Sequence, residues 1–201
     1  MATKRILVLA AGLLVAIVGL AAWSYAGCGA CGGHAAAPTK TATVTPPFTV
    51  HDVTGPAKGQ SLCYICRYGG RPSFVVFTRS ADGHVRHLAK TIDTFVAEHK
   101  AKGVRAFVVL LGENNEANRT KLAALAKEHG LTIPLTIAAT GAKPPKGYPL
   151  PEGFDTHVLV AHRNKVHNTI TVHCSKETCG CTKCAKVADV LDAGKRLLAD
   201  S

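Results

Sequence analysis

Apolar positions recur along the chain with two periods, and the two alternate. Phe48-Thr49-Val50-His51-Asp52-Val53 reads as a short strand closed by the turn residues Thr54-Gly55-Pro56. Ser73 to Thr78, with Phe74-Val75-Val76-Phe77 inside it, is an unbroken apolar run, as a strand buried on both faces requires. Val85, Leu88, Ile92, Phe95, Val96 and His99 then fall at helical spacing and predict an amphipathic helix from about Gly83 to Lys102, ended by Gly103. Ala106 to Leu111 is a second buried strand. Asn114 or Asn115 caps a second helix through Leu122, Leu125 and Ala126, and Gly130 stops it. Leu131 to Ile137 is a third strand, placed at an edge or a bulge by Pro134, and Gly141 to Gly153, with four prolines, is a loop. His157 to Ala161 and Val166 to Val172 flank Arg163-Asn164-Lys165 as a hairpin. A helix from Cys184 to Leu198, buried through Val187, Val190, Leu191, Leu197 and Leu198, closes the chain. Crossovers followed by a hairpin and a helix predict an α/β fold, a mixed central sheet with helices on both faces.

The first 47 residues obey neither period. Lys4 and Arg5 precede Ile6 to Trp23, an apolar stretch without a charge, which is the pattern of an export signal. Ser24-Tyr25-Ala26 offers small residues for cleavage before Gly27. The stretch is also long enough to stay as a membrane anchor, and Ala26-Gly27-Cys28 resembles the end of a lipoprotein box. All three routes put residues 27–201 in or beyond the cell envelope, tethered to the membrane or secreted. Residues 27–47 are mostly Gly, Ala, Thr and Pro with little to bury, an extended tether, and the domain is expected from 48 to 201.

Composition narrows the class. Of 201 residues 47% are hydrophobic and 18% charged, so the chain folds, and 5% aromatic content argues against a stacking platform for single-stranded nucleic acid. The formal net charge of +11 loses only Lys4 and Arg5 with the signal. The remaining basic residues are scattered, with no Arg-rich block, so no nucleic-acid partner is expected. Ser61, Ser73 and Ser80 sit in no nucleophile elbow, no Gly-rich stretch ends in the phosphate-binding Gly-Lys-Ser/Thr, and His84, His87 and His99 read as solvated helix surface.

Element order and local sequence together resemble the thioredoxin-like superfamily, in particular its peroxiredoxin-like branch. The resemblance is carried by Phe48 to Gly59, the strand Phe74-Val75-Val76-Phe77-Thr78, His129-Gly130 followed by Leu131-Thr132-Ile133-Pro134-Leu135, and the last hairpin. Asp52 to Pro56 and Leu62-Cys63-Tyr64-Ile65-Cys66-Arg67-Tyr68-Gly69-Gly70-Arg71-Pro72 are similar to thioredoxin-like proteins of planctomycete-type bacteria. The likeness implies a three-layer α/β/α sandwich and thiol–disulfide chemistry on protein thiols and disulfides. Two departures stand out. The family's reactive Cys follows the first central strand, where this chain has Arg79-Ser80-Ala81-Asp82-Gly83, and the cis-proline before the hairpin is replaced by Asp155-Thr156.

Eight cysteines fall in three groups. Cys63-Tyr-Ile-Cys66 has the spacing at which two sulfurs meet in a tight turn, with Arg67, Arg71 and Lys58 as positive neighbours to favour thiolate. By analogy with thioredoxin, Cys63 is the nucleophile and Cys66 the resolving thiol; a structural disulfide and half of a metal site are the other readings. Cys174, Cys179, Cys181 and Cys184 lie within eleven residues, a segment without a family counterpart. Four thiolates so placed can hold zinc or copper, with His162, His167 or His173 able to replace one, or they can form two disulfides. Cys28 and Cys31, with His34 two glycines further on, lack the adjacent His that haem attachment needs and read as a small loop disulfide.

Overall fold

A computed structural model describes residues 43–81, 83–172 and 185–199. Residues 1–42, which include the expected export signal, and six cysteines (Cys28, Cys31, Cys174, Cys179, Cys181 and Cys184) lie outside the described residues, as do His34 and His173. No helix among the described residues is long and apolar enough to cross a membrane.

Strands β1 (Val50–Asp52), β2 (Ser61–Leu62), β3 (Ser73–Thr78), β4 (Arg105–Leu110), β5 (Leu135–Ala138), β6 (Thr156–His162) and β7 (Lys165–Val172) form one sheet in the order β2-β1-β5-β4-β3-β6-β7. Its centre is parallel, β3 beside β4 and β4 beside β5, while β1, β2, β6 and β7 join by antiparallel pairs. The centre is the part the sequence marks as continuously apolar: all six residues of β3 and five of the six in β4 are buried.

The helices are α1 (Tyr64–Tyr68), α2 (Gly83–Glu98), α3 (Glu116–His129) and α4 (Ala185–Ala199). The crossovers from β3 to β4 and from β4 to β5 step in the same direction, so a single handedness puts α2 and α3 on one face. Leu88 and Ile92 of α2, Leu122 and Leu125 of α3, and Val190 and Leu197 of α4 accordingly pack in one cluster with Phe74 and Val76 of β3. The alternate residues of the same strand, Val75 and Phe77, face the other layer, which is α1 and the proline loop with Tyr148 and Phe154. The sandwich has three layers, and its second outer layer is thin.

Helix ends follow the capping rules that made them legible. The Asn115 side chain accepts from the N–H of Asn118 at 2.9 Å, and Gly130 ends α3 in the left-handed region. The expected first helix ends at Glu98 and gives way to a 3₁₀ turn at Lys100–Lys102 before Gly103. The hairpin turns on Arg163 and Asn164, both at positive φ (51° and 60°), a two-residue connection whose twist matches the strands.

The structure corrects the reading of Pro134. The strand starts one residue later, at Leu135, and lies inside the sheet between β1 and β4, so the proline removes no donor from the ladder. Its carbonyl accepts from the N–H of Val108 at 2.9 Å. Residues 131–134 stay out of the strand because Asp93 Oδ1 of α2 accepts from Thr132 N, Thr132 Oγ1 and Ile133 N. At the other boundary the chain already touches the domain at Thr43, whose carbonyl accepts from Val166 N at 3.1 Å, while the Pro46 carbonyl accepts from the Tyr148 hydroxyl at 2.8 Å.

Candidate functional site

β2 and α1 are too short to leave a period in the sequence, and they carry the dithiol. Cys63 follows β2 with extended backbone (φ −109°, ψ 108°) and is the N-cap of α1. Its Sγ accepts a hydrogen bond of 3.1 Å from the N–H of Cys66, the third residue of the helix, and the two sulfurs form a disulfide with Cα atoms 5.3 Å apart. A Cys here does what Ser or Asp does at other N-caps, taking up a backbone donor the helix cannot satisfy. After Tyr68 the chain turns away through Gly69, whose left-handed backbone (φ 59°) lets its N–H reach the carbonyl of Ile65.

The helix is held from below. Tyr64, Ile65 and Tyr68 are buried, and the Tyr64 and Tyr68 rings lie 5.3 and 5.7 Å from that of Phe107 on β4. The Tyr68 hydroxyl donates to the carbonyl of Ala106 at 2.8 Å, and the Tyr64 hydroxyl donates to Asp52 Oδ2 at 2.7 Å. Burial, and then the bond to Asp52, push the Tyr64 phenol far above the usual tyrosine range; burial does the same to Tyr68. Both are therefore fixed as neutral donors. Cys63 is half-buried against this aromatic cluster and Cys66 is exposed.

Register places the pair in the sheet. Leu62 stands opposite Val50, and Val50 opposite Ala138; the adjacent row runs Ile137, Leu110, Thr78, Thr156, Val172. Cys63 thus emerges at the carboxyl end of the parallel strands, the end at which open α/β sheets bind ligands. It does so four strands from β3, or about 19 Å at ordinary strand spacing.

The place where thioredoxin-like proteins keep the reactive Cys is filled otherwise. The Thr78 hydroxyl donates to the Ser80 carbonyl at 2.7 Å, Arg79 N donates to the Asp155 carbonyl at 3.1 Å, and the Arg79 guanidinium lies 4.8 Å from the centre of the Phe154 ring. Among the described residues there is no cis peptide bond.

The expected ring of positive charge is not gathered at the sulfurs. Arg67 shares α1 with them, but Arg71 lies beside Gly103 at the amino end of the sheet. Lys58 lines a cleft of about 270 Å³ on the α3 side, with His51, Glu116 and Arg119. The polarising group beside Cys63 is a backbone N–H. His162 and His167, with ring centres 6.3 Å apart, sit at the turn end of the hairpin, whereas Val172, after which Cys174 follows, is at its far end. His162 has its pKa lowered by burial, then by Arg163 and His167. No cluster of three or more His, Cys, Asp or Glu able to hold a metal occurs among the described residues, and the four cysteines expected to bind zinc or copper lie outside them.

Two functional features escaped the sequence. The helical cap at Cys63 is invisible because Cys is not among the usual N-cap residues, and Asp52 meets Tyr64 only through the fold.

No family model matches the chain, and no curated protein matches it. Solved structures do. A candidate protein disulfide isomerase from Bacteroides thetaiotaomicron is 19% identical with a TM-score of 0.56, the match covering 80% of this chain and 93% of that one. A candidate thiol:disulfide interchange protein, DsbE, from Chlorobium tepidum is 17% identical with a TM-score of 0.54 (78% and 99% covered). Peroxidoxin BcpB from Mycobacterium tuberculosis is 16% identical with a TM-score of 0.55 (79% and 98% covered). Identities this low speak for the fold alone, and the domain has a thioredoxin-like fold.

Proposed function

We propose that this protein is an exported thiol–disulfide oxidoreductase that exchanges disulfides with protein thiols of the cell envelope through Cys63 and Cys66. The observation that carries the reading is the disulfide itself: a two-residue-spaced pair, the Cys63 sulfur on a backbone N–H and Cys66 an exposed residue, at the carboxyl end of the parallel strands of a thioredoxin-like sheet. Thioredoxin-like chemistry needs a dithiol whose thiolate is stabilised and whose disulfide is reachable; the N–H on Cys63 and the exposure of Cys66 support both, away from the family's usual position. Neighbours named as a candidate disulfide isomerase and a candidate interchange protein point the same way.

In one turnover a substrate thiolate attacks the disulfide, the bond between Cys63 and Cys66 breaks, and a mixed disulfide forms with one Cys while the other leaves as thiolate. The second substrate thiol then attacks the mixed disulfide. The substrate becomes a disulfide and the pair a dithiol, with two electrons transferred; the reverse sequence reduces a substrate disulfide. Export rests on Ile6 to Trp23 and would place the reaction outside the cytosol, where such disulfides persist.

The test is insulin reduction with dithiothreitol as electron donor. Wild-type protein is expected to accelerate precipitation, and Cys63→Ser or Cys66→Ser to abolish the acceleration. Unchanged rates in both variants would overturn the reading. Cell fractionation tests the envelope location, and a cytosolic protein would refute it.

A further inference from the structure

The two cysteines differ in exposure and in hydrogen bonding, and the differences point to opposite roles from those that analogy assigns. Cys66 is exposed; Cys63 is half-buried on the cluster that contains Tyr64, Tyr68 and Phe107. A thiolate attacks a disulfide in line with the S–S bond, so it must approach from behind the sulfur it takes, and the rate also depends on how well the other sulfur leaves. Access selects Cys66 for attack. The leaving sulfur is then Cys63, which already accepts the Cys66 N–H at 3.1 Å. That bond strengthens when its acceptor becomes an anion.

We infer that Cys66, the second cysteine of the pair, is the sulfur that forms the mixed disulfide with a thiol substrate, and that Cys63 is the leaving and resolving thiolate. This rests on the oxidoreductase reading above. In the forward step the substrate sulfur bonds to Cys66 Sγ, the bond to Cys63 Sγ breaks, and its electron pair stays on Cys63 as thiolate, capped by the N–H. A second substrate thiolate then attacks the substrate sulfur of the mixed disulfide and expels Cys66 thiolate. In the reductive direction Cys66 thiolate attacks the substrate disulfide, and Cys63 thiolate returns on Cys66 to expel the substrate.

The probe is reduced glutathione acting on the oxidised full-length wild-type protein, quenched rapidly in acid with N-ethylmaleimide and mapped by mass spectrometry. Trypsin releases both cysteines on the peptide Gly59–Arg67, and fragment ions between them locate each group. The expected product carries glutathione on Cys66 and maleimide on Cys63, in excess of the reverse product by about tenfold or more. In agreement, with oxidised glutathione as the probe, the Cys66 thiolate of Cys63→Ser should attack the glutathione disulfide, release one reduced glutathione and keep a stable adduct, and Cys66→Ser should form the corresponding adduct on Cys63 far more slowly. Glutathione mainly on Cys63, or shared equally, would overturn the assignment while insulin reduction by the wild type kept the oxidoreductase reading. Absence of any adduct together with absence of insulin reduction would overturn both.

Discussion

The hydroxyl of Tyr64 donates a 2.7 Å hydrogen bond to the carboxylate of Asp52, and both side chains are buried beneath the helix that begins at Cys63. The same carboxylate accepts from Gly55 N at 2.6 Å and from Ala57 N at 2.8 Å. One side chain therefore ties β1, the turn after it and the dithiol helix together. Because α1 has five residues, it cannot stand on its own hydrogen bonds and takes its position from these contacts.

Removing either partner should loosen the helix. Tyr64→Phe leaves Asp52 with two donors and is expected to lower stability by about 1–2 kcal/mol, whereas Asp52→Ala strands two backbone N–H groups and a phenol and should cost about 2–4 kcal/mol. Urea denaturation measures both. A larger loss for Tyr64→Phe than for Asp52→Ala would contradict the hub role given to Asp52.

The buried phenols also set an alkaline limit. Tyr64, Tyr68 and Tyr148 each have a folded pKa raised above the ordinary value, mainly by burial. The folded state then holds more protons than the unfolded one above the ordinary tyrosine pKa of about 10, so stability is complete below that pH and falls as pH rises through it. At about pH 11 the native protein should show little tyrosinate absorbance from these three residues, and urea should release it. Full ionisation of all three while the far-ultraviolet circular dichroism stays native would refute the burial described.

Much of this was legible in the sequence, and what was not has a common cause. Ser73 to Thr78 could be read because a strand buried on both faces needs no alternation, and α3 because Asn115 and Gly130 mark its ends. α1 could not, since one and a half turns hold no repeat and its cap is a cysteine. Pro134 misled because the rule about prolines concerns ladder donors, and whether a residue belongs to the ladder depends here on Asp93, some forty positions away. The spacing of Cys63 and Cys66 was enough to expect that two sulfurs could meet in a tight turn, and they do. Which cysteine is the more exposed depends on how α1 lies on Phe107, a contact no local sequence contains.

Gly194 offers a test of the large core in which propensity and packing disagree in sign. It stands inside α4, where Ala would ordinarily be favoured by about 1 kcal/mol. A Cβ built there would lie 2.5 Å from Phe74 Cζ and 3.1 Å from Phe95 Cζ, and both rings are buried and in edge contact with each other. Gly194→Ala should therefore destabilise by about 1–3 kcal/mol, the range of overpacked cores. A rise in melting temperature would mean that α4 does not sit as close to β3 as described.

Thr78 separates the family's usual centre from the one proposed. Its hydroxyl donates to the Ser80 carbonyl at 2.7 Å and lies 3.4 Å from the Thr156 hydroxyl, holding together the ends of β3 and β6 where other thioredoxin-like proteins place a thiol and a proline. Thr78→Val keeps the branched shape and removes these bonds, so stability should drop by about 1–2 kcal/mol. If exchange runs through Cys63 and Cys66, four strands away, the rate of disulfide opening by glutathione should stay within about twofold of wild type at temperatures where the variant is folded. A structural loss and a catalytic loss would differ in one readout: added sucrose restores folding and would leave a catalytic defect in place. A fall of about tenfold that survives this stabilisation would show that the old position takes part in the reaction, and the dithiol on α1 would no longer suffice as the active centre.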